Sequence, residues 1–584
     1  MSGRGGGMLR LATAAGALAL AGLALPAVGA AASASIQGDV IRIDGDGADD
    51  AVTVSSSGTN ADGQVYRITG VQAGTGCEPS GGGAFCADGR FRNGATGPTR
   101  SFAVDLGGGR DTLTFTVGTG NPPATIAMGE GDDEVTVDGA NGGTVTGGGG
   151  ADTVRLAGFA PSSGGPPTSG PAPGPVSVDA GPGADVIDAS GRTSPDTIGG
   201  GPDPDTVTYA ARSSQTPVVV RIDGLGNDGD PRGSGEGDAV GGDVETIVGT
   251  PGADTIQGDA APQTIDGGPG ADTLDGGPGG PDTLSFATRA TSVTASLATG
   301  TTGDGDGVTG FENLAGGGGP DQLTGDAGPN AIAGNGGTDT LRGGPGPDAL
   351  TGGAQDDLLD GGPGTDPDQL AGDPTSADTA DYSGRTEPVV LALADGAVAA
   401  TTLDGDTLVQ VRNVTGGSGA DRLTGNSAPN VLRGGPGNDR LDGRLGDDTL
   451  SGEGDNDIIG PLRPTPFAIC VFRIPGGRVC TVDFFVAAPG PDGRDTVSGG
   501  AGGDILSTVD GAADAQLSCG PGDDGALTDL LDPAPAGCER VQTGAFDQHP
   551  MVSVLPRARL AGGGRALAEV ACPAVRRRGC SGVL

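Results

Sequence analysis

The stretch that decides the fold begins at Gly316 and reads GGGGPDQLT, GDAGPNAIA, GNGGTDTLR, GGPGPDALT, GGAQDDLLD and GGPGTD, nonapeptide starts in unbroken register. The pattern returns at Gly416 as GGSGADRLT, GNSAPNVLR, GGPGNDRLD, GRLGDDTLS and GEGDNDIIG. Each unit opens with glycine, carries an acid or amide at its sixth position and an apolar residue at its eighth. The eighth positions are Leu323, Ile332, Leu341, Leu350 and Leu359, then Leu423, Leu432, Leu441, Leu450 and Ile459. A unit this short cannot bury its one apolar side chain alone. Successive units therefore have to stack and merge their eighth positions into a continuous core.

Glycine supplies the positive φ of a tight turn, and the tail around the eighth position is a short strand with one side chain inward. If two units make one coil of a parallel roll, residues two units apart fall in register at the inter-strand spacing of about 4.8 Å. Asp321, Asp339 and Asp357 then form one ladder, and Asn330, Asp348 and Asp366 the opposite one. Carboxylates about 5 Å apart repel by roughly 3 kcal/mol per pair at an effective dielectric near 20, so such a ladder calls for a cation. Hard carboxylate and carbonyl oxygens, with no thiolate or imidazole nearby, favour calcium over zinc or copper. The expected metal ligands are Asp254, Asp272, Asp321, Asp339, Asp348, Asp357, Asp366, Asp421, Asp439, Asp448, Asp457 and Asp504. A solvated low-complexity chain is the competing reading of an acidic, Gly-rich tract, but disorder does not return an apolar residue every nine positions.

The two long runs resemble the RTX, or hemolysin-type, calcium-binding repeat GGxGxDxUx. That resemblance implies a parallel β-roll with calcium held between the turns of successive coils. The fold class expected is all-β, with parallel β-roll or β-solenoid segments and inserted β-hairpins. The wider unit is similar to composite repeats of secreted actinobacterial calcium-binding proteins. Gram-negative members of the RTX family are exported through a C-terminal signal, whereas this chain has the pattern of an N-terminal one, so that export route is not carried over.

Of 584 residues, 121 are Gly and 44 Pro, only 34% are hydrophobic, and there is no Trp. That apolar content is below the usual ~45–50% of globular domains, which argues against one compact core and for an elongated solenoid. All basic residues are Arg, and the net charge is -43 at pH 7. Such a balance repels nucleic acid and anionic membrane and makes multivalent cations the natural counter-charge. Arg4 and Arg10, the apolar stretch Leu11 to Leu25 and the small residues of VGAAASA have the form of a secretory signal over 1–34; a membrane anchor is the alternative. No later segment is apolar enough for a membrane span. A secreted, extracellular location is therefore expected. In it the eight cysteines fall into close couples, Cys77 with Cys86, Cys470 with Cys480, Cys519 with Cys538 and Cys572 with Cys580, which reads as local disulfides.

In chain order the segments expected are a β region with degenerate repeats over 35–160, a Pro/Gly linker over 161–176, a first repeat region with insert over 177–285, a β-roll with its preceding insert over 286–371, an insert and second β-roll over 372–460, a disulfide-containing β region over 461–545, and a basic tail over 546–584. The tail ends at CSGVL within a strand-like pattern, which leaves truncation of a longer parent open. The inserts themselves repeat: DTVTYAAR from Asp205, DTLSFATR from Asp282 and DTADYSGR from Asp378 each place Arg three residues after an aromatic. Each continues through an apolar pair (Val218 and Ile222, Val293 and Leu297, Val389 and Leu393) and closes with VETIVG, FENLAG or VRNVTG. The favoured reading is a hairpin that leaves the roll and re-enters it, with the aromatic covering the roll's exposed end. The alternative is a recurring ligand site built from Tyr209, Phe286, Tyr382 and their arginines.

Catalysis is poorly supported. His549 is the sole histidine and lies outside the repeats, and the paired acids are read as solvent-open turn residues without a pocket to raise a pKa. The expectation is a non-enzymatic extracellular calcium-binding protein with a structural or surface role, folding on calcium; the alternative is a calcium-dependent accessory part of a secreted enzyme or toxin. No motif identifies a protein or cell-surface partner.

Overall fold

The computed structural model describes residues 32–544, apart from 88–100, 117–122, 158–173, 231–236, 461–471, 481–492 and shorter gaps of up to five residues. The signal over 1–34 up to residue 31, the linker up to residue 173, the tail over 546–584, Cys470, His549, Cys572 and Cys580 lie outside the described residues. Among the described residues there is no helix, and none long and apolar enough to cross a membrane. The chain divides into two compact units, 1–185 and 186–584.

In the second unit the nonapeptides wind as expected, two to a coil. Strand Gln322–Thr324 pairs in parallel with Thr340–Arg342, which pairs with Leu358–Asp360, so Leu323, Leu341 and Leu359 stack in one line. On the opposite side Ala331–Gly336 pairs with Ala349–Ala354 and then with Gln369–Ala371, aligning Ile332, Leu350 and Leu370. All six of these side chains are fully buried. The second run repeats this with Leu423, Leu441 and Ile459 on one side and Leu432 and Leu450 on the other. Its sheets continue past residues 461–492: Leu450 aligns with Val497 and Ile459 with Leu506, so one coil absorbs the long insertion without losing register.

The three inserts share one geometry. The aromatic follows a strand of the parallel sheet and hydrogen-bonds across it: the N–H of Tyr209 donates to Val248, of Phe286 to Ala315 and of Tyr382 to Thr415, at 2.8, 2.8 and 2.9 Å. The Arg N–H then donates to the aromatic's carbonyl in a tight turn, and the guanidinium lies over the ring, 4.9 Å from Tyr209, 5.3 Å from Phe286 and 4.8 Å from Tyr382. The hairpin expectation holds in the second copy, where Thr294–Ser296 pairs antiparallel with Thr301–Thr302 and the latter with Gly307–Thr309, and in the third, where Ala400–Thr401 pairs antiparallel with Thr407–Val409. The rings are buried inside the stack, Tyr209 at 0% and Phe286 and Tyr382 at 2% exposure, rather than covering an exposed end.

The first unit is also a two-sheet parallel solenoid, which its degenerate repeats had only hinted at. One sheet runs Val40–Asp44, Ser101–Asp105, Ala124–Glu130, Asn141–Gly149 and Gly174–Asp179; the other runs Ala51–Asn60, Thr112–Thr116, Glu134–Asp138 and Thr153–Ala157. Residues 174–176 of the expected linker are therefore a strand of this unit. The strands are long enough to bury two residues apiece, as with Leu113 and Phe115, and Phe102 stacks edge-on between Tyr66 and Phe115 at 5.0 and 4.9 Å. Cys77 and Cys86 are opposed in an antiparallel pair. In the second unit the Cys519–Cys538 disulfide is formed as expected.

Candidate calcium ladders

The sixth-position acids form ladders built from one repeated hydrogen bond, in which a backbone N–H donates to Oδ1 of the equivalent acid one coil on. Asp321 donates to Asp339, Asp339 to Asp357 and Asp357 to Asp378, at 2.7, 2.8 and 2.9 Å. On the other side Asn330 donates to Asp348, Asp348 to Asp368 and Asp368 to Asp406, at 2.8, 3.0 and 3.1 Å. The second run links Asp421, Asp439, Asp457, Asp504 and Asp524 in the same way, and separately Asn430, Asp448 and Asp495. Asp254, Asp272 and Asp306 make a further ladder. Eleven of the expected ligands thus stand in ladders.

Asp366 does not. The turn from Gly361 to Asp368 is two residues longer than its neighbours, so Leu370 takes the core position and Asp368 the ladder position, leaving Asp366 exposed. The structure adds ladder acids that a strict nine-residue count misses: Asp282, Asp306, Asp368, Asp378, Asp406, Asp495 and Asp524 in the second unit, and Asp111, Asp133 and Asp152 in the first. Each directly precedes a strand and most follow a Gly-rich turn, Asp378 after GDPTSA being an exception; an acid just before a strand is the signal that would have found them.

Glycine at the first position follows from this geometry. A Cβ on Gly334 would stand 2.3 Å from Oδ2 of Asp339, and on Gly343 2.2 Å from Oδ2 of Asp348, so the carboxylate occupies the space a side chain would need. Glycine at the second position has a different cause: the backbone there is left-handed, with φ of 108° at Gly344 and 96° at Gly435. The carboxylates are folded over their own turns and buried, against the expectation of solvent-open acids; Asp339, Asp357, Asp439 and Asp457 are 1–3% exposed.

The second carboxylate oxygen separates the start of a run from its interior. At the starts both oxygens are satisfied: Asp321 accepts the N–H of Val293 on Oδ1 and of Gly317 on Oδ2, and Asp421 accepts Val389 and Gly417 likewise. On the opposite ladder an amide closes the start, because Nδ2 of Asn330 donates to the Glu312 carbonyl and Nδ2 of Asn430 to that of Arg412, both at 2.7 Å. A carboxylate could only repel those carbonyls. In the interior, Oδ2 of Asp272, Asp339, Asp348, Asp357, Asp439, Asp457 and Asp504 is buried and has no hydrogen-bond partner.

Burial of these groups, reinforced by the carboxylates of adjoining coils, raises Asp272, Asp357 and Asp457 to about 7, while the N–H donated by the preceding coil pulls the other way. Burial likewise lifts Asp348 and Asp439 to about 6. Ionised, these interior oxygens are stacked negative charge without compensation, and a divalent cation with an oxygen preference fits them. Among the described residues no three or more His, Cys, Asp or Glu side chains are grouped to hold a metal. With one acid per turn on each side, a cation held here would need main-chain oxygens besides these carboxylates.

The family model of the RTX calcium-binding nonapeptide repeat (4 copies) matches residues 241–261, 248–280, 306–341, 333–366, 415–450, 424–459 and 490–512. RTX calcium-binding nonapeptide repeats are thus found across 241–512 of this chain, and the matched segments include the ladder acids Asp321, Asp339, Asp348 and Asp357 of the first run and Asp421, Asp439, Asp448 and Asp457 of the second. The comparison with curated proteins returns no match.

Proposed function

We propose that this is a secreted, non-catalytic calcium-binding repeat protein with a structural or surface role, in which calcium completes the coils of the second unit. The observation that carries this reading is the line of bare, buried Oδ2 atoms in the interior of each run. Asp339 and Asp357 in the first run, Asp439, Asp457 and Asp504 in the second, and Asp272 upstream are the residues that would hold the ion. Calcium would supply the positive charge that lets these carboxylates stay ionised while buried. Because the ladder exists only when coils are stacked, binding energy is folding energy, and extracellular calcium at about millimolar concentration suits sites of this class. The acidic surface and the form of the N-terminal 34 residues support a secreted setting.

Far-ultraviolet circular dichroism of the mature chain tests this. In chelator the second unit is expected to lose β-structure and to regain it cooperatively on calcium addition, with magnesium a poor substitute because it demands a tighter octahedron. A spectrum indifferent to calcium refutes the proposal.

A further inference from the structure

One rung of the first run's ladders already contains a cation. Asp368 donates its N–H to Oδ1 of Asp406 at 3.1 Å, the same link as every other rung. The Asp368 carboxylate has the same seat as the others, since a Cβ on Gly361 would lie 2.2 Å from its Oδ2. Here, however, a guanidinium nitrogen of Arg385 lies 2.8 Å from Oδ2 of Asp406 and 3.7 Å from Oδ2 of Asp368. The three side chains are 6%, 0% and 4% exposed. In the preceding rung of the same ladder, at Asp348, and at Asp339 and Asp357 on the opposite ladder, the corresponding Oδ2 atoms are bare.

The arginine is held there by its insert. Its guanidinium lies 4.8 Å from the centre of the Tyr382 ring, its N–H donates to the Tyr382 carbonyl at 2.9 Å, and its own carbonyl accepts the N–H of Ser418 at 2.8 Å. The equivalent Arg289 of the preceding insert pairs differently, with the Asp304 carboxylate and the Gly268 carbonyl, and leaves Oδ2 of Asp272 bare. The inserts therefore share a turn and a stacked arginine but differ in what the guanidinium neutralises.

We infer that Arg385 is a built-in substitute for calcium at the Asp368–Asp406 rung, so that this rung takes no metal and keeps its pairing when calcium is withdrawn. The inference rests on calcium filling the bare rungs, as proposed above. A buried ion pair that loses one partner leaves uncompensated charge behind. Removing the guanidinium therefore turns the rung into one more calcium site.

The full mature chain and its Arg385→Gln variant, both stripped with chelator and dialysed, are titrated with calcium chloride by isothermal calorimetry. The variant is expected to take up one more calcium ion per chain than the parent; equal stoichiometry overturns the inference and leaves the calcium reading standing. No uptake by the parent chain refutes the calcium reading, and this inference with it. Should Arg385→Gln fail to fold even in excess calcium, hydrogen exchange of the unmutated chain in chelator decides. Amides of Asp368 and Ser418 are expected to exchange at least about tenfold more slowly than those of Asp339 and Asp357, and equal exchange overturns the proposal.

Discussion

The two units solve the same stacking problem with different means. In the first unit a strand such as Thr112–Thr116 buries both Leu113 and Phe115, and Glu134–Asp138 buries Val135 and Val137. In the second unit Thr340–Arg342 buries Leu341 alone, with the bare Asp339 beside it. Each extra buried side chain contributes about 2 kcal/mol, so a coil of the first unit has apolar burial to offset its own ordering where a coil of the second lacks it. Both units carry ladder acids with bare Oδ2 atoms, but the second has less core per strand, so on the calcium reading proposed above its stability would depend on a cation more than that of the first.

The largest expected effect is therefore a split response to chelator. Followed by hydrogen exchange at neutral pH, amides within 321–459 should lose protection on calcium removal, whereas those within 112–157 should keep theirs. The first unit has ladder acids of its own in Asp111, Asp133 and Asp152, so some loosening there is compatible with the comparison. Equal loss in both units would break it.

The second effect is on pH, with calcium absent. Asp272, Asp357 and Asp457 rise from 3.8 to about 7 through burial and then neighbouring carboxylates. A carboxyl raised by folding contributes stability in full below its unfolded value, and that contribution is lost as pH climbs through the folded value. The calcium-free second unit should thus be more stable near pH 5 than near pH 8, the reverse of a protein held by ionised, paired carboxylates. Thermal melts in chelator across that window check the sign; a melting temperature that is flat or rises with pH would show that the interior acids are solvated.

How far these features could be read from the residues alone is clearest at single positions. The nine-residue period, the eighth-position core at Leu341 and the pairing of Asp321 with Asp339 and Asp357 follow from spacing, because stacking forces equivalent residues into line. Asp366 was misplaced because a turn between strands can grow by two residues without moving either strand, and counting from the preceding glycine cannot see that. Leu370 after Asp368 was the better anchor, since the core position is the one the stack cannot shift. The first unit escaped notice as a solenoid because its ladder steps are 22, 19 and 33 residues, from Asp111 to Asp133, Asp152 and Asp185. The aromatic and Arg of each insert were legible as a motif, but which oxygen each guanidinium meets depends on a tertiary contact with no sequence period.

That misplacement gives a third test, smaller in scale. Asp339 belongs to two successive rungs, with Asp321 before it and Asp357 after it. Asp339→Asn should weaken calcium uptake at both, while Asp366→Asn, at an exposed turn residue, should change stability by no more than about 0.5 kcal/mol. Calcium titration and denaturant unfolding of the two variants separate the register seen here from a strict nine-residue count, which would give Asp366→Asn a measurable loss of calcium.

The smallest effect concerns the second position of the repeat, where non-glycine residues bear a left-handed backbone. Glu453 has φ 75° and pairs across the sheet with Gly435 on one side and Gly500 on the other, which hold φ of 96° and 98°. A residue with a Cβ in that region costs about 1–2 kcal/mol. Glycine would remove that cost but add about 0.5–1 kcal/mol of unfolded-state freedom. It would also give up the Arg433 contact at 3.7 Å, an exposed ion pair of little value. Glu453→Gly should therefore stabilise the calcium-loaded chain by about 0.5 kcal/mol. Asn335 has a similar φ of 70°, yet Asn tolerates this region and its Nδ2 donates to the Gly316 carbonyl at 2.7 Å, so Asn335→Gly should destabilise by a similar amount. Opposite signs in calcium-saturated urea melts would confirm that backbone conformation, rather than side-chain charge, sets the second position. A loss of stability in both variants would mean that the Glu453 side chain contributes more than its exposed ion pair accounts for.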